Sequence, residues 1–143
     1  MSRLWILLMV IMIGCSPADD TPGFTMVGEW ELVRSIDAWT GVETTGEDMW
    51  AQETYIFSQD STFRKQRIMD GVMSEATGGY IESGGGSSPP FVRNVTLTFR
   101  SGFEIIGACT PSEGIELLRV LEDGTMVNTW AACDGPELFY ERR

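Results

Sequence analysis

The sequence contains no histidine. That absence removes the commonest general base and the commonest metal ligand at neutral pH. Ser-His-Asp and Cys-His nucleophilic catalysis, and zinc held by imidazole, are excluded with it. Positive charge is scarce as well. Ten Lys+Arg stand against 21 Asp+Glu in 143 residues, a formal charge of −11. Such a surface repels phosphate backbones, so no nucleic-acid partner is expected. Long apolar runs are lacking too. The run Leu4 to Ile13 has ten residues, and as a helix it would rise about 15 Å, half of a bilayer's hydrocarbon core. No later stretch carries a 3.6-residue apolar period, so amphipathic helices are not expected. Carboxylates could still act as acid and base, but they are scattered through turns. The nearest pair, Glu47-Asp48, reads as a solvated loop. No enzyme, no catalytic residue, no metal site and no cofactor are expected.

What the chain does have begins at its N-terminus. Arg3 is followed by the ten apolar residues and then by Gly14-Cys15. This is the pattern of a secretory signal peptide, here residues 1–14. Met12-Ile13-Gly14-Cys15 resembles the lipobox of bacterial lipoproteins. The resemblance implies that the Cys15 thiol is acylated and becomes the new N-terminus. The expected partner is then a membrane, held through N-terminal acyl chains, because several chains anchor well where one is marginal. The expected location is the bacterial envelope, with Ser16 similar to outer-membrane sorting signals and Asp19-Asp20 similar to surface-export signals. Whether the domain faces periplasm or cell surface stays open. Residues 15–25, with two prolines and a glycine, read as a flexible tether. Once Cys15 is assigned to lipid, Cys109 and Cys133 remain, and an exported compartment permits their pairing. That bridge would close a loop of about 25 residues and contribute roughly 3 kcal/mol in the chain-entropy model.

Beyond the tether the chain reads as one domain, residues 26–143, built of short alternating strands. Strands are expected near 27–36, 53–58, 62–69, 72–82, 95–100, 103–106, 115–121, 126–132 and 137–142. Asp70-Gly71 signals a type I′ hairpin, and Glu122-Asp123-Gly124-Thr125 another. Short connections imply antiparallel up-and-down order. The expected class is all-β, an antiparallel up-and-down β-barrel of about eight strands, with a β-sandwich as the alternative. The 37–52 segment is the one long connection, and it carries Trp39 and Trp50.

Gly28-Glu29-Trp30 opens the first strand. Glycine, any residue, then tryptophan at this place resembles the first lipocalin motif. Tyr55-x-Phe57, Asp60-Ser-Thr-Phe63 and the ending around Cys133-Asp-Gly-Pro are similar to the lipocalin-like domains of small bacterial lipoproteins. The resemblance implies that Trp30 plugs the barrel base and that Arg142 packs across it, with Gly28 beside them. A second lipocalin motif and a C-terminal helix are not found. An eight-stranded barrel is either filled by its own side chains or holds one small ligand. Candidate interior or mouth residues are Trp39, Trp50, Tyr55, Phe57, Leu97, Phe99, Met126 and Trp130. Trp39 and Trp50 are expected to pack down on a barrel end or to cover its mouth. Arg64, Lys65 and Arg67 form a basic cluster that would meet the domain's own carboxylates or lie near the membrane.

Two functions compete. One is a lipid-anchored barrel that binds a small apolar ligand or lipid. The other is a non-catalytic structural or interaction module, an assembly partner or an inhibitor, working through its acidic surface and the Gly-rich 84–90 loop. An open apolar cavity favours the first, and a filled barrel favours the second. The oligomeric state is not legible.

Overall fold

The computed structural model describes residues 24–84 and 91–143. The expected signal peptide, Cys15, most of the tether and residues 85–90 of the Gly-rich loop lie outside the described residues. Nine strands follow in order: β1 (Gly28–Ile36), β2 (Glu43–Thr45), β3 (Gln52–Phe57), β4 (Thr62–Met69), β5 (Val72–Gly84), β6 (Phe91–Ser101), β7 (Ile115–Leu121), β8 (Met126–Asn128) and β9 (Glu137–Arg142). Every pairing is antiparallel between neighbours, and β9 closes back onto β1. Eight strands therefore form a closed barrel. The short β2 lies outside the ring, on the end of β1 that β3 leaves free: Glu31 pairs with Thr54 of β3, whereas Arg34 pairs with Thr45 of β2. The structure is the all-β barrel, not the sandwich. Closure leaves few free edges, which suits a chain of short strands joined by tight turns.

The turns follow their residues. Asp70 and Gly71 both have positive φ, 51° and 75°, as the type I′ turn between β4 and β5 requires. Asp60 accepts hydrogen bonds from the Thr62 backbone N–H and hydroxyl at 3.1 and 2.6 Å, turning β3 into β4.

Two expected strands are corrected. Phe103–Ile105 is a single 3-10 turn, because Gly102 takes left-handed φ, 71°, and turns the chain off the sheet. The hydrophobic Ile105 and Ile106 then tuck under, buried over the barrel end. The strand expected to run to residue 132 stops at Asn128, and Trp130–Cys133 is another 3-10 turn. Its position is set by the Cys109–Cys133 disulfide, with Cα atoms 5.6 Å apart, which ties this turn to the segment after Ile106.

Strand direction divides the barrel into two ends. The mouth carries the loops 37–51, 70–71, 102–114 and 129–136. The base carries the entering chain, the hairpin loops 58–61 and 122–125, and the C-terminus. At the base, Trp30 is 1% exposed and donates its indole N–H to the Met26 carbonyl at 2.9 Å. Its ring neighbour is Phe24, at 6.2 Å between centroids. Arg142 is paired in register with Trp30. Its guanidinium donates to the Thr25 and Val27 carbonyls and lies so close to Gly28 that a Cβ there would sit 3.0 Å from Nε. Arg142 therefore seals the base by capping carbonyls of the entering chain, and the cation–π contacts among the described residues lie elsewhere.

Above the base lies an aromatic layer. Phe57 meets Tyr80, and Phe63 meets Phe99, each edge-on at 5.0 Å. Val95, Leu97, Leu118, Val120 and Met126 complete it, all fully buried. The period-2 alternation of β3, β4, β6 and β7 points these side chains inward.

Candidate functional site at the barrel mouth

The same alternation carries charge into the upper half of the barrel. Glu53 and Tyr55 are in phase with Phe57 on β3, and Lys65 and Arg67 are in phase with Phe63 on β4. Glu116 is in phase with Leu118 on β7. Glu53, Lys65 and Glu116 are fully enclosed, and Arg67 nearly so. Lys65 Nζ stands 3.0 Å from Glu53 Oε1 and 3.0 Å from Glu116 Oε2. Arg67 Nε donates to Glu53 Oε2 at 2.5 Å. Tyr140 donates its hydroxyl to Glu53 at 2.6 Å, and Tyr55 donates to Glu116 at 2.5 Å. The Gly107 N–H supplies Glu116 with a further donor at 3.2 Å. Gly107 has no room for a side chain, since a Cβ would lie 2.8 Å from Asn128 Nδ2.

Two carboxylates and two cations thus form a closed, neutral cluster. Burial raises the pKa of Glu53, but the Lys65 and Arg67 charges and the Tyr140 hydroxyl outweigh it, leaving the carboxyl below its ordinary range. Burial, then the charge of Glu116, pushes the Tyr55 hydroxyl well above its usual value. Burial and Glu53 do the same to Tyr140. Both hydroxyls stay protonated donors. One polar atom is left over: Arg67 Nη2 is buried without a hydrogen-bond partner. Two of the three basic residues singled out in the sequence therefore sit inside the barrel among its own carboxylates, while Arg64 is exposed.

The interior is filled by this cluster and the aromatic layer. Tyr55, Phe57, Leu97, Phe99 and Met126 are at most 5% exposed and belong to the packed core. Of the two places expected for them, they occupy the barrel interior and not its mouth. Their alternation signalled inward orientation, and space was never encoded in it.

The open space is at the mouth. A cleft of about 650 Å³ is lined by Asp37, Val42, Asp48, Trp50, Trp130 and Pro136, among others. Trp50 forms the border with the buried cluster, its ring 4.9 Å from the Arg67 guanidinium carbon. A smaller cavity of about 240 Å³ is lined by Arg67, Met69, Val72, Ser74, Glu104 and Ile105. Trp39 does not pack down on the barrel: it is 79% exposed. Phe103, Met69 and Val72 are also exposed large apolar side chains of this end.

The loops of the mouth are one-sided in charge. Residues 37–51 hold four carboxylates, 102–114 two, and Asp70 and Asp134 one each, and none of these loops holds a lysine or arginine. Arg34, on β1, pairs with one of them, Glu43, at 3.3 Å. Asp37 accepts N–H and hydroxyl bonds from Thr40 and an N–H bond from Trp39. The Thr40 bonds hold its carboxyl below the ordinary range. Among the described residues no group of three or more acidic or cysteine side chains is placed to hold a metal ion.

No protein-family model matches this chain, and no curated protein and no solved structure matches it either. The fold stands on the strand pairings alone. They give a closed eight-stranded antiparallel barrel, compatible with a lipocalin-like fold.

Proposed function

We propose that this protein is a lipid-anchored component of a bacterial cell envelope, with a lipocalin-like barrel as scaffold and the barrel mouth as a binding site for an apolar or amphiphilic group. The observation that carries the reading is the mouth cleft of about 650 Å³, walled by Trp50, Trp130, Val42 and Pro136. Its volume falls in the range of small-molecule sites, which are concave, mostly apolar, and carry a few polar groups. Because the interior is filled, the ligand of this reading sits on top of the barrel. The function is binding, without catalysis.

The anchor part rests on Arg3 to Cys15, with acylation of Cys15, and on a tether long enough to free the domain from the bilayer. The outer membrane is the proposed address, from Ser16. Substituting Cys15→Ser should release the protein from the membrane fraction, and continued membrane partition would reject the anchor. Native mass spectrometry of protein purified from its own host tests the binding reading. A reproducible bound mass, lost on substituting Trp130→Ala, is expected. An unliganded protein that also fails to bind a neutral apolar dye would reject it.

The second reading, an interaction module of the envelope, is favoured by the filled interior, which leaves a rigid barrel presenting loops. The two readings meet at the same end of the molecule.

A further inference from the structure

We infer that the mouth docks a basic, amphipathic polypeptide segment. This rests on the mouth being the binding site and adds the chemistry of its occupant. Three observations point there.

The first is charge. The four mouth loops carry eight carboxylates and no cation of their own. A phospholipid surface of anionic headgroups, or a fatty carboxylate, approaches against that field. A cationic partner is drawn by it, and complementary potentials set both encounter rate and choice of partner. The second is apolar relief. Trp50 and Trp130 line the larger cavity, and Met69, Val72 and Ile105 the smaller one. Trp39, at 79% exposure, stands free beside them. A polycation without apolar groups would leave these uncovered. An amphipathic segment answers both, as helices with apolar anchors at i, i+3 or i+4 do when they lie in grooves.

The third is that the relief is double. Trp50 lines the larger cavity and Arg67 the smaller, and the two side chains are stacked, with 4.9 Å between guanidinium carbon and ring. A single acyl chain with a cationic head fills one cavity. A polypeptide presents several anchors from one backbone and fills both. Arg67 itself lines the smaller cavity, so the stacked pair is part of the wall that such a segment would cover.

The test uses the anchored protein in phosphatidylcholine nanodiscs, with empty nanodiscs as the blank. Fluorescence anisotropy would follow two labelled 14-residue peptides with the same leucine spacing, one carrying lysines and the other glutamates. N-phenyl-1-naphthylamine, a neutral apolar dye, and dodecyltrimethylammonium are titrated in parallel. The lysine peptide should bind at least about tenfold more tightly than the glutamate peptide and should weaken as salt rises. The variant Glu47→Gln/Glu113→Gln, and separately Glu47→Lys, should each weaken it by several-fold without changing dye binding, since neither residue lines the cleft. Both variants are on exposed loop positions, so folding is spared. Equal binding of the two peptides, or no effect of either variant, overturns the inference. So does dodecyltrimethylammonium binding as tightly as the peptide, which would assign the mouth to a small amphiphile. A mass that doubles with concentration and blocks the peptide would assign it to a second copy of this chain, again overturning it. If the dye binds and neither peptide displaces it, the inference falls and the cleft reading stands. If neither dye nor peptide binds, both fall.

Discussion

Substituting Lys65→Met puts the buried cluster to a quantitative test. Lys65 Nζ bridges two carboxylates at 3.0 Å each, and all three side chains have zero exposure. Methionine keeps the length of the chain and removes the charge. Glu53 would still hold Arg67 and Tyr140. Glu116 would keep only the neutral donors, Tyr55 and the Gly107 N–H. Removing one partner of a buried ion pair costs about 3–5 kcal/mol, because the other charge is left uncompensated. A domain of this size is stable by about 5–15 kcal/mol, so the loss should be plain in a urea titration followed by tryptophan fluorescence. The double variant Lys65→Met/Glu116→Gln should recover most of the stability, because a neutral amide replaces that charge. A cost under about 1 kcal/mol for the single variant at neutral pH, or a double variant no better than the single, would show that the cluster does not act as a closed set of charges.

Other expectations follow from the same geometry. Stability should form a plateau that falls at both extremes of pH. Glu53 is depressed in the folded state, so its contribution is present above its unfolded pKa and is lost as pH falls through the folded value. Tyr55 and Tyr140 are raised, so theirs is present below the ordinary tyrosine range and is lost as pH rises through the folded values. A flat alkaline limb in denaturation midpoints would contradict the burial of the two hydroxyls. Replacing both Cys109 and Cys133 by serine should cost about 3 kcal/mol, given the 24-residue separation. The change should also loosen the Trp130 wall of the cleft, seen as a red-shifted emission, and an unchanged midpoint would argue against the bridge. Trp30→Ala at the base should cost about 3–5 kcal/mol, the range for large buried aromatics. Arg142→Ala should cost less, since Arg142 caps carbonyls at an exposed position. Equal costs would mean that the plug is made by the pair.

Much of the barrel is written locally in the chain. Asp70-Gly71 demands positive φ twice, and Val95, Leu97 and Phe99 alternate with threonine and arginine. That fixes strand ends and facing for most of the ring. The two failures occur where tertiary bonds override the local pattern. Phe103 to Ile106 has strand-forming residues, but Gly102 turns the chain off the sheet and Ile105 and Ile106 tuck over the barrel end. Residues 129–132 leave the sheet because Cys133 is tied to Cys109. The buried cluster was legible in phase although not in composition. Lys65 and Arg67 keep step with Phe63, and Glu53 keeps step with Tyr55 and Phe57. A basic run expected to meet the domain's own carboxylates or the membrane is, at every second position, part of the core. What the sequence could not supply is where space remains. That depends on how the side chains of β3, β4 and β7 fill the ring, and on how loops such as 37–51 meet distant parts of the chain. Trp50 and Trp130, far apart in sequence, meet at one cleft only because the barrel closes.

Hydrogen exchange of the anchored protein, with and without the lysine-bearing peptide, tests the central claim most directly. If the mouth is the working end and the barrel below it is a filled scaffold, protection should appear in 37–51, 102–110 and 129–136. Amides of the base loops 58–61 and 122–125 should not change. Protection at the base, or spread through the inward faces of β3, β4 and β6, would contradict the account.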